Sequence, residues 1–358
     1  MNVILSAAKD LARRHDLLVR GLPGAALLLL LAACGGSAAT PPPNSTSKAS
    51  APASVSDQLR KVKASYATLV ATNMVPYVAQ EAGIFRKHGL DVDVQFTKDG
   101  PTTMTALVSG DVEFAELSDP SLTNAVLQGA SVEWVALPVH SPELSLMSQP
   151  GINSVEELKG KTVGVTSAGS LTALFAQYAL LQHGLDPKTD VKIVAVGGGP
   201  QGLAAIVSNQ IDAGIYGPPD DIRAAAAGKK VLVDFRKGGF GVPQGAVAVR
   251  KDFAKANPDL VSAYVASFIE GIQRYKSDPL LTKQVLGRVF SITDPKVVDD
   301  TYQGAVSVLD TDIVPRAKDQ QTMLDMLAPT TPKAKDAHPT DFYDDSFAKA
   351  ALAAEPSK

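Results

Sequence analysis

The tetrapeptide His-Gly-Leu-Asp occurs twice in this chain, at residues 88–91 and again at residues 183–186. Each copy follows an apolar segment with helical spacing and precedes a short strand-like segment, at residues 92–96 and 191–196. A glycine directly after a helix can adopt the left-handed conformation that ends it, and the following apolar residue packs back on the helix. The two copies therefore predict the same helix-to-strand transition in two parts of the chain.

The similarity continues beyond the tetrapeptide. Residues 99–121 align with residues 198–220, and a Gly-Pro pair that is typical of a helix start occupies the same place in both segments. The order strand, helix, strand, helix, strand is thus written twice, which predicts two α/β units with parallel sheets flanked by helices. In this alignment Met104, Leu107 and Val108 fall on Leu203, Ile206 and Val207.

The remaining segments predict that the two units form lobes joined by a hinge. Residues 133–148 carry the chain into the second lobe and residues 231–249 carry it back. Amphipathic helices after Arg250 are expected to return and pack on the first lobe. Two crossings between paired lobes make a natural hinge. The expected boundaries are residues 58–139 plus 244–358 for lobe 1 and residues 140–243 for lobe 2.

Residues 1–33 are interpreted as a signal peptide. Basic residues precede the run GAALLLLLAAC, which is shorter than the roughly 20 apolar residues of a membrane span and has the length of a signal-peptide core. The sequence LAAC resembles the lipobox of bacterial lipoproteins, which implies that Cys34, the only cysteine, is lipidated. Residues 34–57 are rich in Pro and small polar residues and are expected to form a flexible tether.

Four segments carry a resemblance to a known family: residues 76–94, 106–121, 152–170 and 249–271. Together they resemble the extracytoplasmic substrate-binding proteins of ABC importers, in the nitrate/sulfonate/taurine-type branch that also includes binders of thiamine pyrimidine precursors and of riboflavin. The resemblance covers about residues 61–328.

The resemblance implies an α/β fold of the two-lobed, type II periplasmic-binding-protein kind, with a parallel or mixed sheet in each lobe and a hinge of two crossings. It implies a monomer that closes over one small molecule and delivers it to a membrane permease with a cytoplasmic ATPase. It implies neither an enzymatic activity nor a cofactor. With a lipid on Cys34, the protein would be anchored to the outer face of a bacterial membrane or in the periplasm.

Ligands of open α/β sheets bind beyond the carboxyl ends of the strands. The repeat places four loops there in pairs, residues 70–77 and 116–121 of lobe 1 and residues 165–172 and 216–220 of lobe 2. Hydroxyl groups and free backbone N–H groups in these loops either cap a helix or bind an anion, which would suit a sulfonate or a carboxylate.

Other residues near these loops favour other ligands. The aromatic side chains of Tyr77, Tyr216 and Phe240 could stack on a flat ring. Glu116, if it faces the cleft, would favour a ligand with amine donors. The loop that contains Gly169 is expected to contact the ligand rather than the core. A bulky residue at position 169 would then abolish binding and leave the melting temperature nearly unchanged. The candidate ligand-binding residues are Thr72, Asn73, Met74, Tyr77, Ser118, Asp119, Ser167, Gly169, Ser170, Tyr216, Pro218, Phe240 and Gln244.

Several other functions are disfavoured by the sequence. A net charge of −3 without basic clusters argues against a nucleic-acid partner. Residues 197–202 match the dinucleotide pattern G-x-G-x-x-G, but the equivalent loop of the first repeat reads KDGP, so the Gly-Pro is a shared helix start. No cysteine-rich motif, nucleophile elbow or metal-ligand spacing of histidines is present. A secreted enzyme or a sensor domain on the same fold is the alternative.

Overall fold

A computed structural model describes residues 59–238 and 241–354 of the chain. The predicted signal peptide, Cys34 and the tether lie outside the described residues, as does Phe240. Within the described part, no helix combines the length and the apolar character that crossing a membrane requires.

The first sheet is mixed and contains four strands from the first repeat and one that arrives much later in the chain. Its strands are β1 (Arg60–Tyr66), β2 (Leu90–Phe96), β3 (Phe114–Leu117), β4 (Val132–Ala136) and β10 (Ala246–Arg250). Their order across the sheet is β2-β1-β3-β10-β4. β1 pairs in parallel with β2 and β3, whereas β10 is antiparallel to β3 and β4.

The second sheet repeats this plan. Its strands are β5 (Ser145–Ser148), β6 (Thr162–Val165), β7 (Lys192–Ala195), β8 (Ala213–Tyr216) and β9 (Lys230–Asp234), in the order β7-β6-β8-β5-β9. β6 is parallel to β7 and β8, and β5 is antiparallel to β8 and β9. In both sheets the fourth strand in this order is antiparallel to its neighbours and follows a crossing, β5 after the first and β10 after the second. The predicted two-lobed α/β fold class is confirmed, and the crossing strands explain why the sheets are mixed. We call the part built on the first sheet lobe 1 and the part built on the second sheet lobe 2.

Helices flank both sheets and start where the repeat predicts. Gly89 and Gly184, the glycines of the repeated tetrapeptide, have φ of 75° and 74°, the left-handed conformation that ends a helix. Lobe 1 contains α1 (Val75–Glu81), α2 (Ile84–Lys87), α3 (Gly100–Ser109) and α4 (Ser121–Leu127), and lobe 2 contains α5 (Leu171–Gln182), α6 (Pro200–Val207) and α7 (Asp220–Ala226). The C-terminal helices are α8 (Lys251–Ala256), α9 (Pro258–Ser277), α10 (Pro279–Val289), α11 (Pro295–Val308), α12 (Ala317–Leu327) and α13 (Ser346–Ala353).

The long helix α9 covers one face of the first sheet. Phe114 of β3 stacks on Tyr264 of α9 with ring centroids 3.8 Å apart. Gly271 lets α9 approach α1 closely, because a Cβ atom at this position would lie 3.1 Å from the side chains of Ala79 and Val75. Aromatic stacking and close helix packing therefore fix α9 to lobe 1.

The apolar interior is continuous from one lobe to the other. Leu117 of lobe 1, Leu144 of the first crossing and Phe175 of lobe 2 belong to one buried cluster. Leu324 of α12 is part of the same cluster, so this C-terminal helix packs on both lobes rather than on lobe 1 alone. The two lobes therefore share part of their apolar core in this structure.

Two glycines of the C-terminal helices give a matched test of this packing. Gly271→Leu should lower the free energy of unfolding by about 1–3 kcal/mol because the side chain has no room between α9 and α1. Gly287→Ala, where a Cβ would make only ordinary contact at 3.5 Å, should raise it by about 0.5–1 kcal/mol through helix propensity. Urea unfolding measures both. Equal stability of the two variants would refute the close approach of α9 and α1.

Candidate functional site

Two adjoining cavities lie between the lobes, where the carboxyl ends of the parallel strands face one another. The first, which we call the hydroxyl cavity, has a volume of about 40 Å³, which is room for a few water molecules in this arrangement of the lobes. Six hydroxyl residues line it, three from each lobe, together with Gly100, Leu144, Gln244 and further apolar residues. These six are Thr68, Ser118, Ser121, Thr166, Ser170 and Thr172.

The second space, the glycine cavity, also has a volume of about 40 Å³ and shares Thr68, Val70, Leu144, Thr166 and Thr172 with the first. It extends along β8 and the turn before α6, so that Tyr216 and Asp220 also line it. The Tyr216 hydroxyl donates to the carbonyl oxygen of Gly202 at 2.8 Å. Burial raises the pKa of the Asp220 carboxyl to about 6, against the neighbouring Arg223 guanidinium, which lowers it.

The hydroxyl groups of lobe 2 are held in place by the start of α5. The Ser170 hydroxyl accepts from the backbone N–H of Ala173 at 3.3 Å and donates to the carbonyl oxygen of Ser167 at 2.7 Å. The Thr172 hydroxyl accepts from the backbone N–H of Thr166 at 2.8 Å. The wall on this side of the hydroxyl cavity is therefore pre-organised by helix capping.

On the lobe 1 side, one hydroxyl is buried without a partner. The Ser118 hydroxyl accepts from the backbone N–H of Gly245 at 3.2 Å. The Ser121 hydroxyl, at the start of α4, has no hydrogen-bond partner although the residue is only 7% exposed. Since buried polar atoms are nearly always paired, an unpaired hydroxyl on a cavity wall indicates a place for a ligand atom.

The hydroxyl cavity offers neutral donors rather than charged ones. None of its described lining residues is charged. Two helix N-termini open at its wall, α3 at Gly100 and α5 just after Ser170. The N-terminus of α3 already has an anionic cap, since the Asp99 carboxylate accepts from the backbone N–H of Thr102 and Pro101 has no N–H. The free N–H groups and partial positive charge at the start of α5 favour an anion or a strongly polar acceptor. This arrangement can bind oxygen atoms of a small anion without a basic side chain.

Several predicted site residues support the cleft but do not line either cavity. Met74 is fully buried in the lobe 1 core. The Asn73 amide donates to the carbonyl oxygen of Thr68 at 3.0 Å, which supports the loop that carries Thr68. Asp119 caps α4 by accepting from the backbone N–H of Thr123 at 3.0 Å and from its hydroxyl at 2.9 Å.

Three more predicted residues lie beside the cavities. Tyr77 makes an edge-to-face contact with Tyr66, and their hydroxyl oxygens are 3.3 Å apart. The Pro218 carbonyl oxygen accepts from the backbone N–H of Ala71 at 3.3 Å, a contact between the lobes. The Ser167 hydroxyl is buried without a partner but is not on either cavity wall. Of the predicted residues, Ser118, Ser170 and Gln244 line the hydroxyl cavity and Tyr216 the glycine cavity.

Glu116 does not face the cleft. It lies on the same face of β3 as Phe114, the face covered by Tyr264 of α9, and lines neither cavity. Neither carboxylate oxygen has a hydrogen-bond partner, and burial raises the pKa of the carboxyl well above its usual range. The preference for amine donors that a cleft-facing Glu116 would give is therefore absent from these cavities.

A buried carboxylate that was not predicted joins the two crossings. Glu143 lies in the first crossing, where the sequence offers one signal, the one acidic residue of the connection between β4 and β5. Its Oε1 accepts from the Thr72 hydroxyl at 2.6 Å and from the Gln244 amide at 3.1 Å. Gln244 belongs to the second crossing, so Glu143 ties both crossings to lobe 1. Burial raises its pKa to about 7.

The glycine-rich turn before α6, residues 197–199, contacts lobe 1 across the cleft. Gly199 has a φ of 57°, and a Cβ atom there would lie 3.4 Å from Leu69 of lobe 1. A Cβ atom on Gly198 would lie 3.3 Å from Thr166 and 3.9 Å from the Lys98 carbonyl oxygen. The G-x-G-x-x-G pattern is thus accounted for by close backbone approach across the cleft.

Gly169 is restrained by its backbone as well as by its position. Its φ of 75° is left-handed, and a residue with a side chain would be strained there by about 1–2 kcal/mol. The expectation that its replacement would leave stability intact therefore needs correction. Among the described residues, no group of three or more His, Cys, Asp or Glu side chains could hold a metal ion.

The raised pKa of Glu143 predicts a pH-dependent stability. Between its usual pKa of 4.5 and the folded value of about 7, the folded protein binds more protons than the unfolded chain. The free energy of unfolding should therefore fall as pH rises through this window. The Glu143→Gln variant keeps an acceptor oxygen and removes this titration. Its free energy of unfolding should therefore decrease less than that of the wild type between pH 4.5 and 7, by on the order of 1–3 kcal/mol.

Chemical unfolding at several pH values measures the slope of the free energy of unfolding against pH. Asp220 and Asp221, whose pKa values burial also raises to about 6, keep part of the slope in the variant. Glu157→Gln, which removes an exposed carboxylate of lobe 2, is the control and should keep the wild-type slope. A wild-type slope in Glu143→Gln would contradict the assignment.

Comparison with known proteins places the chain among binding proteins. The taurine-binding periplasmic protein of Escherichia coli (strain K12) is 33% identical over 208 residues, which span 56% of this chain and 63% of that protein. The alkanesulfonate-binding protein SsuA from Xanthomonas axonopodis pv. citri, bound to MOPS, superposes with a TM-score of 0.64 at 17% identity, over 81% of this chain and 97% of SsuA. The periplasmic nitrate-binding protein NrtA from Synechocystis PCC 6803 gives 0.62 at 14% identity, over 83% and 89%.

The two solved structures confirm the periplasmic-binding-protein fold. The sequence also matches the NMT1/THI5-like family over residues 71–280, more than half of the chain. The resemblance derived from the sequence is thereby confirmed: the protein belongs to the NMT1/THI5-like family.

Proposed function

We propose that this protein is the solute-binding receptor of an ABC importer, and that it captures a small molecule with an oxyanion group between its lobes. The observation that carries the proposal is the hydroxyl cavity, where three hydroxyl residues of each lobe converge without a charged side chain. The names of the taurine- and alkanesulfonate-binding relatives support a sulfonate, and that of the nitrate-binding relative supports a smaller oxyanion. A thiamine-pyrimidine-like ligand is less favoured, since Glu116 lies away from the cavity.

Capture by lobe closure agrees with the contacts across the cleft. Beside the shared apolar core, hydrogen bonds also join the lobes: the backbone N–H of Ala71 donates to the Pro218 carbonyl oxygen at 3.3 Å, and the Arg223 guanidinium donates to the carbonyl oxygen of Phe290 at 2.9 Å. A ligand that bonds to hydroxyl groups of both lobes adds interactions that only the closed form can make. A dissociation constant near micromolar, about −8 kcal/mol, would be ordinary for such a receptor.

The cavity lacks the parts of a catalytic site for acyl or group transfer. A serine nucleophile needs a base within hydrogen-bond reach, and the Ser121 hydroxyl has no partner at all. The described residues of the hydroxyl cavity include no His, Lys, Asp or Glu that could serve as a base. Binding and release therefore account for the site better than the alternative of a secreted enzyme.

A lipid anchor would hold the receptor close to its permease. We infer that Cys34 is lipidated, that residues 34–57 tether the lobes, and that the folded part is a monomer on the extracytoplasmic side. Two or more acyl chains on one cysteine would make the attachment firm. In the native host, Cys34→Ser should move the protein from the membrane fraction to the soluble extracytoplasmic fraction and abolish labelling by a palmitate analogue. A Cys34→Ser protein that stays membrane-bound would contradict the anchor.

The unpaired Ser121 hydroxyl gives a test with a matched control. Ser121→Ala removes a buried polar atom without a partner, so the melting temperature of the free protein should stay equal or rise slightly. Its affinity for the ligand should fall about tenfold, the cost of one hydrogen bond to a charged group. Ser65→Ala removes another buried, unpaired hydroxyl that lines neither cavity and should change neither affinity nor binding enthalpy. Calorimetric titration and thermal unfolding measure these quantities. Equal affinity of both variants would place the ligand elsewhere.

The ligand itself can be found by titration calorimetry against alkanesulfonates, nitrate, aminopyrimidines and flavins. We expect one anionic group of compounds to bind with micromolar affinity and to leave the protein unchanged. Turnover of any compound by the purified protein would contradict the receptor function.

A further inference from the structure

A buried ion pair holds the start of α12 against both crossings. Nδ1 of His140, in the first crossing, lies 2.5 Å from Oδ2 of Asp319, in the first turn of α12. The two side chains are 10% and 6% exposed. Gly241 of the second crossing lies on the other side of the carboxylate, since a Cβ atom at this position would collide with Oδ1 of Asp319. Asp319 therefore contacts both crossings at once.

The surroundings of His140 require a proton on both ring nitrogens. Nδ1 faces the Asp319 carboxylate, and Nε2 lies 3.3 Å from the backbone carbonyl oxygen of Asp312. Both partners accept hydrogen bonds, whereas a neutral imidazole has only one donor nitrogen and would leave one of these contacts unmade. The imidazolium form donates to both and supplies the positive charge that a buried carboxylate needs.

The other charged groups of the neighbouring segments have partners of their own or face solvent. Arg316 donates to carboxylate oxygens at 3.2 and 3.3 Å, Glu143 accepts from Thr72 and Gln244, and Lys318 is exposed. Residues 241–245 contain no titratable side chain. The charged residues of these segments other than Asp319 are Asp310, Asp312, Glu143, Arg316 and Lys318.

The helix that His140 holds in place contacts both lobes. In the first turns of α12, the Gln320 amide donates to the Thr123 hydroxyl of lobe 1 at 2.7 Å. Further along, Leu324 belongs to the buried cluster that includes Phe175 of lobe 2, and Met326 lines a surface groove together with Leu174 of α5. An interaction that fixes the start of α12 therefore stabilises the arrangement in which the two lobes meet.

We propose that protonated His140 is a pH-sensitive latch, whose bond to Asp319 holds α12 across the crossings and keeps the lobes together. When pH rises and His140 loses its proton, the bond to Asp319 is weakened and separation of the lobes is favoured. His140 positions the lobes and does not have to contact the ligand. The consequence for binding rests on the proposed function, because a ligand held between the lobes binds best to the latched form.

The pH dependence of stability tests the latch with a matched control. Above about pH 6.5, where a histidine of the unfolded chain loses its proton, the folded protein binds more protons than the unfolded chain, so stability falls as pH rises. From pH 7 to 8.5, above the titrations assigned to Glu143 and Asp220, the melting temperature should fall by about 2–4 °C in the wild type and much less in His140→Gln.

His88 supplies the control, because Nε2 of His88 lies 2.9 Å from Oε2 of Glu270 and both residues belong to lobe 1. His88→Gln removes a histidine–carboxylate pair that does not join the lobes and should keep the fall seen in the wild type. Asp319→Asn keeps the shape of the carboxylate and should lose the fall, as His140→Gln does. An equal fall in wild type and His140→Gln would overturn the latch.

Two further measurements separate a latch from a merely structural ion pair. Long-range ¹H–¹⁵N spectra at pH 7 should show both ring nitrogens of His140 protonated. Small-angle X-ray scattering of the ligand-free protein should show a radius of gyration that increases from pH 6.5 to 8.5 in the wild type and in His88→Gln. In His140→Gln it should have the larger value at both pH values. A neutral His140 ring at pH 7, or a wild-type radius of gyration independent of pH, would overturn the proposal.

Binding of methanesulfonate, measured by calorimetry, tests the consequence for the receptor. Its affinity should fall by about threefold or more from pH 6.5 to 8.5 in the wild type, within the tenfold per pH unit that one proton can give, and should stay constant in His140→Gln. Equal pH dependence in both proteins would overturn the coupling of the latch to binding. If no anion binds, the proposed function fails, and the scattering and the spectra still decide the latch.

Discussion

The two crossings of the chain between the lobes determine how the lobes can move relative to each other. Each crossing leads into an antiparallel strand, the fourth of the five strands in the sheet that it enters, and the sheet of lobe 1 is complete only when β10 returns through the second crossing. Glu143 lies where the crossings meet and accepts hydrogen bonds from Thr72 and Gln244. A buried carboxyl is costly to leave unpaired, which favours one arrangement of both crossings over others. The cleft owes its geometry to this junction, since the strand ends that line it are fixed relative to each other by the crossings.

The proposed anion site uses neutral groups. A lysine or arginine in the cavity would have to be desolvated whenever the lobes close without a ligand. Hydroxyl groups and the N-terminus of α5 have a smaller desolvation cost and are already oriented by the capping interactions of Ser170 and Thr172.

Much of the architecture could be predicted from the sequence because a repeat reveals local structure twice. The glycines at 89 and 184 end helices in both copies, and the Gly-Pro pairs start α3 and α6 as predicted. The antiparallel crossing strands could not be predicted from local pattern, because their partners lie far along the chain, Leu117 opposite Ala246 and Ile215 opposite Leu146. Phe114 illustrates the same limit, since its partner Tyr264 lies on a helix far along the chain.

The candidate site was predicted at the level of loops and less well at the level of side chains. The strand-end rule pointed to the right edges of both sheets, but which way a loop side chain turns depends on packing. Met74 is buried in the core, and Asp119 caps α4. The Ser121 hydroxyl, in the same loop as Asp119, has no hydrogen-bond partner and lines the cavity. Glu143 was missed because its role arises only where two distant segments meet.

The central claim is that an oxyanion is held between the hydroxyl groups of the two lobes. A crystal structure of the protein with bound butanesulfonate tests it most directly. Our account predicts sulfonate oxygens within hydrogen-bond distance of the Ser121 hydroxyl on one side and of the start of α5 on the other. A sulfonate bound outside the cleft, or contacting one lobe alone in a closed protein, would contradict it.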